Sequence, residues 1–480
     1  MEMNMKRRQF LQAAAGAALY LSGGPGVAAS QARTTLVSPG ARRSRVRVAK
    51  LYLGKPKAHW PTPDMDIHAE RQRYETEFAA RAKDFADTDF TVNELVTTAE
   101  QAKEIAARLD EVDGVLLIHL SMGIWDMLPA LLAAGKPTMV FAAPYSGHEW
   151  SGFGALRQRP EGALLECLLT SDFDQLAIAV HPFRAIHHLR EAKILNATLN
   201  ELPADFVQAV KTKFGAEIVR IDHARVMAAY DAIDPAAAEA ETESWMKRAE
   251  EIVEPSRDEI HRSCRLALAF EKLLDEENAT VMTVDCYGSM YGRLPAFPCV
   301  GFARLNDLGY GGICESDLRS ALTFILLQAL SGRPGFISDP TVDESTGSII
   351  LAHCMGSTKM DGPENPPCPY RLRSIMERQE GAAPQVRMPV GRKVTQAELM
   401  TMDKLLYFTG EAIDSPDTER GCRTKITVNV DGDIEALWQN WSGGLHRVTC
   451  YGDLRHDLKR FCRFKSVQMV DEAQPGAVRS

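Results

Sequence analysis

Gly114-Val-Leu-Leu-Ile-His-Leu120, Met127-Leu-Pro-Ala-Leu-Leu-Ala-Ala134 and Pro137-Thr-Met-Val-Phe-Ala-Ala143 follow one another as short apolar run, amphipathic stretch, short apolar run. Alternation of that kind means strand, helix, strand, and hence a parallel sheet with helices on both faces. Working backward, the same rhythm holds at 46–53, 74–84 and 98–109. It predicts an N-terminal α/β domain over residues 45–165.

Working forward, the rhythm repeats through 175–180, 202–214, 216–221 and 281–284, with a long helical region at 237–274 that Pro255 must split into two helices. An amphipathic helix at 318–330 stops at Gly332-Arg333-Pro334, and Ser348–His353 reads as a buried strand. These predict a second α/β domain over 166–358. After the proline-rich stretch 363–369 the character changes to short strand candidates at 386–394, 404–408, 425–430 and 446–451, separated by Gly and Asp turns. The fold class expected is therefore α/β: two Rossmann-like parallel-sheet domains, then a smaller, β-rich, barrel-like domain over 370–480.

Composition agrees with several domains. A chain of 480 residues, 45% hydrophobic and 25% charged, exceeds one ordinary core. Its formal net charge is −9 with no long basic run, which argues against nucleic acid as a partner. After the first thirty residues no apolar stretch reaches the ~20 residues of a bilayer span, so no membrane anchor is expected. Lys6-Arg7-Arg8-Gln9-Phe10-Leu11-Gln12 precedes an apolar run at 13–21 and small residues Val27-Ala28-Ala29. This layout resembles a twin-arginine signal peptide over 1–30, which exports folded proteins, and implies a periplasmic location. The ten cysteines are scattered singly with no CxxC pair, so they read as small buried hydrophobes rather than a zinc site, with a disulfide or two left open.

The residues that carry chemistry lie late in the chain. Gly301 to Asp317 is a glycine-rich segment feeding a helix, with Glu315 and Asp317 at the helix start, where carboxylates also serve merely as caps. Asp339 ends an apolar run and His353 ends a strand, so parallel-strand ends would deliver both to one edge of a sheet. His446 follows Gly443-Gly444, which permit close backbone approach. Glu, Asp and His together suit a divalent ion such as Mn²⁺ better than thiol-bound zinc. Such an ion, with two carboxyl groups to pass a proton, is what moving a carbonyl between C1 and C2 of a sugar requires.

Residues 295–358, with Cys-Glu-Ser-Asp317, Ser-Asp-Pro340 and Leu-Ala-His-Cys354, resemble the core of the L-fucose/L-arabinose isomerase superfamily, and Gly-Gly-Leu-His446 through Tyr-Gly-Asp453 is similar to its C-terminal histidine motif. The resemblance implies a sugar ketol isomerase working through a cis-enediol. It implies Glu315 and Asp339 as catalytic residues and metal ligands, His446 as a third ligand, and His353 as a further ligand that contacts substrate. It also implies a homo-oligomer, trimer or hexamer. It covers about a third of the chain and leaves the sugar unnamed. A related epimerase or hydratase, or an exported sugar-binding protein without catalysis, remains open beside it. A nicotinamide dehydrogenase ranks last because no G-x-G-x-x-G follows the strand ending near Leu53. His119, His148, His187 and His188 read as ordinary surface or loop histidines.

Overall fold

The computed structural model describes residues 44–477, so the leader read at 1–30 lies outside the described residues. Strands β1 (Val46–Leu53), β2 (Thr88–Val96), β3 (Gly114–His119), β4 (Thr138–Ala142) and β5 (Leu165–Leu169) form a parallel sheet in the order β2-β1-β3-β4-β5. Every residue of β3 is buried, as a central strand covered on both faces must be. This sheet runs past the expected boundary at 165, because β5 pairs with β4 as far as Leu169.

The second parallel sheet takes β6 (Lys193–Ala197) and β7 (Glu217–Ile221). A two-residue strand, β8 (Glu251–Ile252), pairs outside this sheet, with residues 371–372, and β9 (Val281–Val284) and β10 (Gly311–Ile313) complete the order β10-β9-β6-β7. Pro255 does divide the long helical region, into Pro235–Arg248 and Arg257–Glu276. The second of these starts at a capping box in which the Ser256 and Glu259 side chains each bond the other's backbone N–H.

The third unit is larger than expected. β11 (Phe336–Asp343) and β12 (Ser348–His353) precede the hairpin β13 (Tyr370–Ile375) and β14 (Glu380–Val386). Then come β15 (Arg392–Thr401), β16 (Lys404–Asp414), β17 (Thr424–Val430), β18 (Arg447–Tyr451) and β19 (Gln468–Asp471). Antiparallel pairing in the order β15-β18-β11-β12-β17-β16 returns to β15, so these strands close a barrel, with β19 parallel to β16 outside it. The assignment of 336–353 to the central α/β domain is thus corrected. Asp339 pairs with Ala352, and His353 with Thr424, in antiparallel registers. The cause of the misreading is physical. A strand packed inside a closed barrel is as apolar as one in a parallel sheet, and composition does not separate them.

One helix joins the units. Leu318–Ser331 is apolar on nearly all sides and buried through its interior, the pattern of a core helix. It packs against the helix His181–Glu191 and against β15 and β18. Its Thr323 Oγ accepts the Leu399 N–H of β15 at 2.9 Å. All ten cysteines are free thiols, eight of them buried. Among the described residues no helix is long and apolar enough to cross a membrane.

Candidate metal centre

Glu315 stands at the carboxyl end of β10, in the crevice expected of an α/β sheet. Gly312 is what lets the helix Cys299–Asp307 lie directly on that strand, since a Cβ there would come within 2.4 Å of Phe302 Cα. Asn306 fixes the contact, its Oδ1 accepting the Gly312 N–H at 2.6 Å. The chain then leaves β10 through two successive left-handed residues, Glu315 (φ 60°) and Ser316 (φ 54°). Each costs about 1–3 kcal/mol for a residue with a side chain, and Ser316 Oγ is held by donation to Asn196 Oδ1 at 2.7 Å. The bend turns Glu315 toward the barrel and leaves Asp317 at the N-cap of Leu318–Ser331.

The barrel brings the other groups. Phe336, Ile337 and Ser338 pair with Thr449, Val448 and Arg447, so the next step of the same register sets Asp339 beside His446. His353 closes β12, the neighbour of β11. The loop before His446 needs its glycines: Gly443 and Gly444 have φ of 73° and 141°, and a Cβ on Gly443 would collide with Met400. Buried Arg447 secures this loop, donating to the carbonyls of Ser442 (2.8 Å) and His446 (3.0 Å) and to Glu472 (3.0 Å).

The four side chains meet. His353 Nε2 is 3.7 Å from Glu315 Oε1, and His446 Nε2 is 3.8 Å from Glu315 Oε2 and 3.4 Å from Asp339 Oδ1. Glu315, His353 and His446 can each offer a ligand atom within 4.8 Å of the other two, a spacing that would hold a metal ion. Asp317, read from sequence as a cap, does two jobs. Its Oδ1 accepts the N–H groups of Arg319 and Ser320, and its Oδ2 accepts His446 Nδ1–H at 3.0 Å. That second bond fixes the ring so that Nε2 faces Glu315 and Asp339, the arrangement in which a carboxylate orients a ligating histidine.

Electrostatics point the same way. Burial, then repulsion from Asp339 and Glu377 against the pull of His446, raises the Glu315 carboxyl; burial and Glu377 raise that of Asp339. His353, buried and facing His446, is pushed down to about 3 and is therefore neutral, the form that ligates. Burial opposes the charged form of His446, but the Asp317 bond and the facing carboxylates outweigh it and raise its pKa. Asp339 Oδ1 is buried with no hydrogen-bond partner, and an acceptor left so at the centre of three acids fits a cation. Burial pushes the adjacent Cys286 thiol up to about 12 and Cys314 well above its usual value, so these thiols stay protonated and the donors are oxygen and imidazole nitrogen.

The structure thus brings Glu315, Asp339, His353 and His446 together, though Asp339 and His353 arrive on barrel strands and not on parallel ones. Sequence reasoning passed over Glu377, at the turn between β13 and β14, whose charge reaches both carboxyls; a lone acid in a hairpin turn carries no signal of its own. The other histidines need correction. His119 is buried beside Glu149 at 3.4 Å, and His187 and His188 are buried against Asp113 (2.9 Å) and Asp87 (3.5 Å). Of the four histidines read as surface or loop residues, His148 alone is exposed, its ring 4.8 Å from Trp60.

No family model matches the chain. It is 23% identical over 318 residues, or 60% of its length, to a protein of Alkalicoccus urumqiensis named sulfoquinovose isomerase, and the match spans 67% of that relative. It is 25% identical over 215 residues, or 40% of its length, to the sulfoquinovose isomerase of Clostridium sp. (strain MSTE9), spanning 44% of that protein. Together these likenesses support a sugar isomerase, an intramolecular oxidoreductase.

Proposed function

We propose that the chain is a metal-dependent aldose–ketose isomerase, akin to the L-fucose/L-arabinose isomerase superfamily, and that its substrate is a sugar of the sulfonated kind named for its relatives. The observation that carries the proposal is the convergence of Glu315, Asp339, His353 and His446 with Asp317 behind His446. These donors would hold a divalent ion, Mn²⁺ by preference, which polarises the sugar carbonyl when bound.

The chain's own groups supply the rest. Glu315 and Asp339 flank one centre from opposite units of the fold, so one carboxylate can take the proton from C2 while the other manages a hydroxyl proton, as aldose and ketose interconvert through a cis-enediol. Their raised pKa values suit groups that must both accept and return protons. His446 is held at one tautomer by Asp317, and neutral His353 lies 3.7 Å from Glu315 Oε1. We further propose that the protein works as a homo-oligomer and reaches the periplasm folded, on the reading of residues 1–30.

The test is turnover of sulfonated and neutral aldoses in D₂O with the Mn²⁺-loaded protein. Solvent deuterium should appear at C1 or C2, and Glu315→Gln should lower kcat at least roughly a hundred-fold, as loss of a group in proton transfer does. No exchange from any aldose would defeat the isomerase reading.

A further inference from the structure

The turn between β13 and β14 brings a second residue near the site besides Glu377. The guanidinium of Arg378 lies over two tyrosine rings, 5.3 Å from the centroid of Tyr287 and 4.5 Å from that of Tyr291. Tyr287 in turn runs toward the groups around the centre, facing Glu377, whose charge reaches Glu315 and Asp339. Its hydroxyl is 3.9 Å from Sγ of Cys354, the residue next to His353. Phe297 backs both tyrosines, with ring centroids 6.1 Å and 6.2 Å away. An aromatic wall therefore runs from beside Cys354 and Glu377 out to an exposed cation.

Several arginines elsewhere in the fold are committed to acids, and two others that stack on rings, Arg248 on Trp245 and Arg265 on Tyr230, spend their N–H groups on backbone carbonyls. Arg373 and Arg423 bind Glu254 and Glu419, Arg304 binds Glu241 and Glu271, and Arg447 binds Glu472. Arg378 makes no ion pair with any described residue, and Glu377 beside it faces the Tyr287 phenol. Stacking on the rings holds the guanidinium plane while leaving its edge of N–H donors open, the presentation that suits a planar or tetrahedral oxyanion.

We infer that Arg378 is a specificity-determining residue of the site, and that it receives an anionic group carried on the sugar carbon remote from the carbonyl. This rests on the isomerase reading above. Sulfonate, phosphate and carboxylate share the required chemistry. A sugar lying along Tyr287 would place its carbonyl end at Glu315 and Asp339 and its charged end at the turn.

The experiment compares 6-deoxyglucose with glucose derivatives bearing a 6-sulfonate, a 6-phosphate or a 6-carboxylate, using the Mn²⁺-loaded full chain, Arg378→Gln, Arg378→Lys and, as control, Arg248→Gln, which removes an exposed guanidinium stacked on Trp245. Wild type should favour one anionic sugar over 6-deoxyglucose in kcat/KM, and the ranking of the three names the anion. Arg378→Gln should lower that preference roughly ten- to a hundred-fold through KM, the size of a charge-assisted hydrogen bond. Arg378→Lys should recover only part of it, because an ammonium lacks the fork. No anionic preference in wild type, an unchanged preference in Arg378→Gln, or a loss that appears in Arg248→Gln instead would each overturn the assignment while leaving the isomerase intact. If no aldose turns over, calorimetric binding of the 6-sulfonate decides. Binding lost in Arg378→Gln keeps the anion site and removes the isomerase; binding absent or unchanged removes both.

Discussion

Asp317 shows how much of this site depends on one carboxylate with two faces. Oδ1 caps the Leu318–Ser331 helix and Oδ2 holds His446 Nδ1–H, while burial acts against its charge and the His446 bond restores it, leaving its pKa lowered. Asp317→Asn separates the two jobs. The amide oxygen can still cap, but the amide N–H₂ would confront Nδ1–H, donor against donor. The ring must then carry its proton on Nε2, the atom that faces Glu315 and Asp339. Mn²⁺ affinity should fall roughly ten- to a hundred-fold, the usual cost of losing an orienting partner, while the metal-free protein melts close to wild type because the cap persists. Competition with a fluorescent chelator measures the first and circular dichroism the second. Unchanged Mn²⁺ affinity would mean that Asp317 is a cap and nothing more.

At the scale of elements, the helix His181–Glu191 is pinned to the first sheet by paired charges. Arg184 forms two bonds to Asp87, at 2.7 and 2.9 Å, His188 lies 3.5 Å from Asp87, and Asp113 takes His187 at 2.9 Å and Arg190 at 2.6 Å. Burial would raise both aspartates, but Arg184 beside Asp87, Arg190 beside Asp113 and the hydrogen bonds the two carboxylates accept hold them below the carboxylate range; burial lowers His188, which stays neutral when folded. A histidine with a lowered folded pKa contributes stability that is complete above its unfolded value of about 6.5 and declines as pH falls below it. A lowered aspartate contributes stability that is complete above about 3.9 and is lost as pH falls further, through the folded value. Thermal stability should therefore begin to drop below about pH 6.5 and drop more steeply below about pH 4. Asp87→Asn should cost about 3 kcal/mol at neutral pH by leaving buried Arg184 unpaired, and should flatten the acid limb. A melting curve against pH of the same shape in both proteins would refute this. None of it was legible in the sequence, where His187-His188 is a pair without a partner until β2 and β3 are folded beside it. Strand–helix alternation was legible because it is local, and so were Glu315, Asp339, His353 and His446, which sit in compact motifs. The extent of the barrel was not legible: the short connection makes β11 and β12 an antiparallel hairpin, but which sheet that hairpin joins depends on β17 and β18, far along the chain.

For the molecule as a whole, the candidate centre is where two units of the fold meet. Glu315 belongs to the turn after the central sheet, whereas Asp339, His353 and His446 belong to the barrel. No segment of the unfolded chain holds these four groups together, so an ion they bind stabilises only the folded form. Linkage then sets the size of the effect: free metal at a hundred times its dissociation constant adds about 2.7 kcal/mol, enough to raise Tm by a few degrees. Adding Mn²⁺ to chelator-treated protein should raise Tm in proportion to the logarithm of free metal. Ca²⁺, which takes oxygen ligands at longer range and seldom imidazole, should do much less. Glu315→Gln should abolish the slope without lowering the metal-free Tm, because the substitution removes a carboxylate that Asp339 and Glu377 repel. A melting temperature indifferent to Mn²⁺ in the wild-type chain, measured by calorimetry across a thousand-fold range of free metal, would show that the four side chains share no ion.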